Sequence, residues 1–94
     1  MENELKIMKT RNKFYVKTEH GEAVLLYKSE GKGKINMYHT FVPDEDRGKG
    51  IAEKLAFAAF EYAKENKLKV IPGCTYISYF VQNHPEFNDM IVFR

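Results

Sequence analysis

The first half of the chain alternates between apolar and polar residues, and helical periodicity takes over after residue 48. Leu5 and Ile7 alternate weakly with Lys6 and Lys9, which predicts a short first strand. Thr10 to Lys13 make a turn. The stretch 14–17 is rich in aromatic and β-branched residues and predicts a second strand. Glu19, His20 and Gly21 form a tight turn, with Gly21 free to take positive φ. The run 23–28 is apolar on both faces and reads as a central strand. A looser turn at 29–33 holds two glycines. The fourth strand covers 35–42, with Ile35, Met37, His39 and Phe41 on one face and Asn36, Tyr38, Thr40 and Val42 on the other. Four strands joined by short turns predict an antiparallel meander.

Pro43 cannot donate to a sheet ladder and ends the fourth strand. The period then changes. Ile51, Leu55, Ala58 or Ala59, and Tyr62 fall at helical spacing from about 48 to 66, and Ala52, Ala56, Phe60 and Ala63 widen the stripe. So broad an apolar face needs the sheet as its partner, and the alanines permit close approach. Asn66 closes this helix. A short strand at 68–71 follows, stopped by Pro72 and Gly73. Strand, helix, strand within this span is a βαβ unit, so the fifth strand lies parallel to the fourth through a right-handed crossover. The apolar and aromatic stretch 74–83 predicts a short helix, with Ile77, Phe80 and Val81 on one face. Residues 84–89 break it, and 90–93 form a last strand or an extended tail. The predicted class is α+β: an antiparallel meander, a βαβ unit and a short C-terminal helix.

Ninety-four residues predict one domain spanning 1–94. Fifteen basic against 13 acidic residues leave a net charge of +2, which argues against nucleic-acid binding, where a basic face is expected. No apolar run is long enough to span a bilayer, so no membrane association is expected. One cysteine makes no internal disulfide and suits a reducing, cytoplasmic setting. Without a Cys-x-x-Cys pair or a His/Cys cluster, no metal site is expected.

The candidate chemistry starts at Arg47-Gly48-Lys49-Gly50-Ile51-Ala52, after a strand and at the opening of a helix. Glycines let the main chain come close to a ligand, and a helix start leaves four N–H groups without intrahelical partners. The spacing excludes a Walker loop, and a Rossmann fingerprint would need a third glycine and a parallel sheet. It fits Arg/Gln-x-x-Gly-x-Gly/Ala, whose N–H groups surround a pyrophosphate, each bond contributing roughly 1.5–3 kcal/mol. The alternative is a plain strand-to-helix turn, and spacing alone does not choose between them. The acidic run Asp44-Glu45-Asp46 nearly cancels Arg47 and Lys49, so its carboxylates are expected to face solvent and the main chain to do the holding.

Three stretches together carry a resemblance: His39-Thr40-Phe41-Val42-Pro43, Arg47 to Ala52, and Pro72-Gly73-Cys74-Thr75-Tyr76. They resemble the GNAT acetyltransferase superfamily, and within it the small YjdJ-type domains of about this length. The resemblance implies a sheet that splays between the fourth and fifth strands. Coenzyme A, as acetyl-CoA, would enter that gap, with its pantetheine arm against Phe41 and Val42. Its pyrophosphate would rest on Arg47, Gly48, Lys49, Gly50, Ile51 and Ala52. Cys74 would lie near the thioester. It is then either the side chain that takes the acetyl group, favoured by its place at a helix start, or a small residue filling space. His39 has the chemistry of a general base, and the competing reading is a hydrogen-bonded core histidine. Tyr76 and Tyr79 offer hydroxyls to a leaving thiolate, or pack in the core. His20 and His84 sit at turns and are read as solvated.

The function implied is N-acetyltransferase-like: transfer of acetyl from acetyl-CoA to an amine or thiol. The acceptor would be a protein or peptide, because the segments that build an enclosed acceptor pocket in larger relatives have no counterpart here. The alternative is a non-catalytic module that binds or senses acyl-CoA.

Overall fold

The computed structural model describes residues 6–92. Five strands form one sheet in sequence order: β1 (Met8–Lys9), β2 (Lys13–Thr18), β3 (Gly21–Ser29), β4 (Lys34–Phe41) and β5 (Lys69–Pro72). The first four are antiparallel neighbours, and β5 runs parallel to β4. Two helices accompany them, α1 (Ile51–Glu65) and α2 (Thr75–Gln82), with 3-10 turns at Asp44–Asp46 and Pro85–Met90. The α+β class follows directly from the pattern of the chain. Leu5 and Phe93, read as strand positions, lie outside the described residues.

One face of the sheet is apolar because alternate residues point to it. Phe14 and Val16 on β2 and Ala23, Leu25 and Tyr27 on β3 are buried there. The partner surface is α1, whose Ile51, Leu55, Ala56, Ala59, Phe60 and Ala63 are buried. Alanine at three of these positions brings the helix axis close to the strands. Full burial of Leu55 and Phe60 contributes about 1.5–3 kcal/mol each. On the opposite face of β3, Val24 and Leu26 are only half-buried, so the central strand is fully covered on one side.

Two features of β4 differ from a plain alternating strand. Leu26 pairs with His39 while Tyr27 pairs with Met37, so Tyr38 is an extra residue in the ladder. This bulge shifts the alternation by one. Ile35 and Met37 are buried in the core, but His39 and Phe41, which simple alternation puts on the same face, emerge exposed, and Val42 is buried in their place. The second feature is the end of pairing with β5. The parallel register runs from Lys34↔Lys69 to Met37↔Pro72, and Gly73 N–H then donates to Met37 O at 3.0 Å. Beyond that point β5 gives way to α2, and His39 to Phe41 have β3 as their one strand partner. The parallel pair has parted.

Helix α1 begins at Ile51 rather than near 48, because Gly48 and Gly50 stand at φ 84° and 78°, outside helical geometry. Asn66 ends it, its Nδ2 donating to Tyr62 O at 2.9 Å. The 3-10 turn at Pro85–Met90 buries Phe87, after which Ile91 bridges to Val70 and Val92 N–H donates to Val70 O at 2.9 Å. No helix among the described residues is long and apolar enough to cross a membrane.

Candidate coenzyme-binding groove

Where β4 and β5 separate, a groove of about 750 Å³ opens. One wall is the end of β4 and the loop into α1: Thr40, Phe41, Val42, then Asp46, Arg47, Gly48, Gly50, Ile51, Ala52 and Glu53. The other wall is α2 and its C-terminal end: Tyr76, Tyr79, Phe80, Asn83 and His84. Most of the residues singled out in the sequence therefore meet here, from Phe41 and Val42 through the glycine loop to Tyr79.

The loop is built from two left-handed glycines. Their left-handed conformation keeps residues 48–50 out of the helix, so that α1 opens only at Ile51. Among the described residues, no backbone carbonyl accepts the N–H groups of Gly48, Lys49, Gly50, Ile51, Ala52 or Glu53, and no side chain caps the helix. The first helical bond is Lys54 N–H to Gly50 O, at 3.1 Å. Six consecutive donors thus lie at a helix N-terminus beside the groove, where the helix dipole favours negative charge.

The acidic run beside this loop is divided. Asp44 and Glu45 are exposed as expected, but Asp46 is buried, with 2% of its surface accessible. Its Oδ1 lies 3.1 Å from His20 Nδ1 and 3.0 Å from Lys49 Nζ. The Thr18 hydroxyl above all, then the Lys49 ammonium and the His20 ring, hold its carboxyl down at about 2, although burial pushes it up. This pin ties the β2–β3 turn to the glycine loop, so His20 is engaged rather than simply solvated. It also draws the Lys49 side chain onto Asp46, with Nζ 3.0 Å from Oδ1. Arg47 folds back over the end of β4, with Nε donating to Val42 O at 3.1 Å.

On the second wall, Tyr76 is half-buried, and its hydroxyl is pushed up in pKa by burial, by the Glu53 carboxylate and by Tyr79. Tyr79 is 60% exposed and belongs to the groove rim, not to the core. His84, expected in solvent, is half-buried. Its ring stacks on Phe80 at 4.1 Å and meets Phe57 edge-on at 4.8 Å. Its spacing of four from Phe80 was the available signal, since it continues the apolar face of α2 by one turn. Cys74 and His39 do not line the groove. Cys74 is half-buried at the N-cap of α2, its Sγ 3.9 Å from the Oγ1 of Thr40, which does line it. His39 emerges exposed from β4 because of the Tyr38 bulge.

A sequence profile described as GCN5-related N-acetyl-transferase matches residues 13–90, a span that includes both walls of the groove. The chain belongs to the GCN5-related N-acetyltransferase family. Protein NATD1 of Xenopus tropicalis is 46% identical over 66 residues, covering 70% of this chain. That match spans 61% of the Xenopus protein's length. Protein NATD1 of Danio rerio is 39% identical over 88 residues, covering 89% of this chain and 80% of that protein. The NMR solution structure of a GCN5-like structural genomics target from Staphylococcus aureus superposes with a TM-score of 0.78 at 32% identity. It covers 96% of this chain and 90% of its own. The GCN5-related fold therefore extends over nearly all of the chain, and its family generally uses acetyl-CoA.

Proposed function

We propose that residues 1–94 form one coenzyme-binding domain that takes acetyl-CoA into the groove and passes the acetyl group to an amine or thiol acceptor. The observation that carries this reading is the run of six unpartnered N–H groups, Gly48 to Glu53, beside a parted strand pair. Both parts fit a ligand that carries a pyrophosphate on an extended amide arm. The N–H groups of Gly48, Lys49, Gly50, Ile51 and Ala52 hold the pyrophosphate, with the Arg47 guanidinium beside them. The main chain at Phe41 and Val42, on the unpaired length of β4, holds the pantetheine amides. Acetyl-CoA supplies an acyl thioester at the far end of that arm.

The chain's own chemistry there comes from three side chains. Tyr76 stays protonated through neutral pH, since every influence on it raises its pKa. It and Tyr79 present hydroxyls that donate to a departing thiolate. Cys74, at the split, is the nucleophile that takes the acetyl as a protein thioester before an acceptor amine removes it. His39 receives no role in the groove, because its ring is exposed outside it. The wide groove favours a protein or peptide acceptor, and the free thiol favours a reducing, cytoplasmic setting.

The test is a titration of the labelled protein with acetyl-CoA, followed by mass spectrometry. The amides of residues 48–52 are expected to shift, and the protein to gain one acetyl that Cys74→Ser abolishes. Unmoved amides would remove the coenzyme reading. Bound ligand without acetyl on Cys74 or on any added amine would leave a binding module and no transferase.

A further inference from the structure

His84 and Glu53 face each other across the groove, His84 just past α2 and Glu53 in the first turn of α1. Glu53 Oε2 lies 3.3 Å from His84 Nε2. The other ring nitrogen, Nδ1, lies 2.8 Å from Phe80 O, which can only accept. Stacking on Phe80 and edge contact with Phe57 fix the ring plane. The imidazole is thus held with Nδ1–H on a carbonyl and Nε2 directed at the first turn of α1. That turn is the one whose N–H groups form the cradle. Nε2 becomes a donor when the ring carries its second proton; Glu53 is the anion nearest to it, and half of that side chain is exposed, so it is free to swing away.

The charged and titratable groups around His84 are few. From α1 there is Glu53, and from α2 the Tyr76 hydroxyl, on the same groove wall. The 3-10 turn after α2 presents the uncharged Phe87, and its Glu86 is exposed. Asp46 and Arg47 line the opposite wall. Among the described residues Glu53 is therefore the one anionic partner of the ring, and its carboxylate stands where a ligand anion would compete.

We infer that His84 is a phosphate-binding residue of the groove, held by Glu53 until a phosphate oxygen of the ligand replaces that carboxylate. This rests on the coenzyme reading above and adds to it a second, side-chain contact facing the N–H cradle. Glu53 then acts as a built-in competitor: it keeps the donor oriented in the free protein and weakens ligand binding by the cost of its displacement. A charged hydrogen bond of this kind corresponds to roughly tenfold or more in affinity.

The experiment measures dissociation constants by calorimetry for coenzyme A, 3′-dephospho-coenzyme A and phosphate-free pantetheine, from pH 5.5 to 8. It uses the unaltered protein, His84→Gln, His84→Phe (which keeps the stacking) and Glu53→Gln. Both His84 variants are expected to lose roughly tenfold for coenzyme A at pH 6 and to flatten its pH dependence, with pantetheine unaffected. A loss shared with dephospho-coenzyme A places the contact on the pyrophosphate, and a loss confined to coenzyme A places it on the 3′-phosphate. Glu53→Gln is expected to tighten coenzyme A binding. Equal losses for all three ligands would reduce His84 to a packing residue, and unchanged affinities in both His84 variants would overturn the inference outright. If the unaltered protein binds none of the three ligands, it is the coenzyme reading that fails.

Discussion

At Asp46 a single carboxylate ties the glycine loop to the β2–β3 turn. It is buried, yet Lys49 and His20 both reach its Oδ1, one from the loop and the other from the β2–β3 turn. Its folded carboxyl sits at about 2 instead of 3.8. The unfolded chain therefore binds the proton more readily than the folded one. The stabilisation is complete above about pH 4 and is lost as pH falls through about 2. Urea midpoints measured between pH 2 and 5 should fall with acid in this window, and Asp46→Asn should lack that part of the slope. An identical slope in the variant would show that the pin contributes nothing. Gly73 illustrates a second kind of local requirement. A Cβ there would run into the Asn36 side chain and lie 3.2 Å from the Tyr38 Cα, so the end of the β4–β5 pairing admits only hydrogen at this point. Neither requirement was legible in the chain. Asp46 sits in a run of three acids, and nothing local distinguishes the buried one from its exposed neighbours. Gly73 follows Pro72, where a turn alone would explain it.

Elements were more legible than contacts. The four-strand meander follows from two-residue alternation broken by Gly21, Gly31 and Gly33, and α1 follows from apolar residues at helical spacing. Both patterns are local, so they survive without knowledge of the fold. The Tyr38 bulge is not local: one added residue leaves alternation intact on either side and changes only its phase. That is why His39 and Phe41, placed by alternation on the face of Ile35 and Met37, emerge outward while those two are buried. His84's place in the groove's second wall was hidden for a related reason, since its ring is set by stacking on Phe80 of α2 and by an edge contact with Phe57 of α1. Phe60 is the hinge of this arrangement. It is fully buried, 5.4 Å from Phe80 and 4.9 Å from Phe87 by ring centroid, and so joins α1 to both elements of that wall. Phe60→Ala should cost about 3–5 kcal/mol in urea unfolding. It should also raise amide exchange across α2 more than across β2 and β3, whose contacts with α1 involve Phe14, Tyr27 and Tyr62. Uniform exchange would mean that the two walls unfold as one unit.

For the molecule as a whole, the groove is a seam. One side is the meander with α1, and the other is β5 with α2 and the final 3-10 turn. Four paired residues of β4 and β5 and the aromatic cluster around Phe60 hold the two sides together. A chain of 94 residues buries a modest share of its surface, so its stability margin is small and a ligand that bridges the seam changes it visibly. A ligand at a hundred times its dissociation constant adds about 2.7 kcal/mol, which for a domain of this size is a rise in melting temperature of roughly 10–20 °C. The series to run is acetyl-CoA, free coenzyme A and ATP, each with the unaltered protein. On the coenzyme reading proposed above, coenzyme A and its acetyl thioester should both give the full rise, because the N–H cradle and the β4 edge would engage parts that the two share. ATP offers phosphates to the cradle but no amide arm for Phe41 and Val42, so its effect should be much smaller at equal concentration. A rise with ATP equal to that with coenzyme A would mean that the parted strands contribute nothing to binding and that the loop is a general phosphate site.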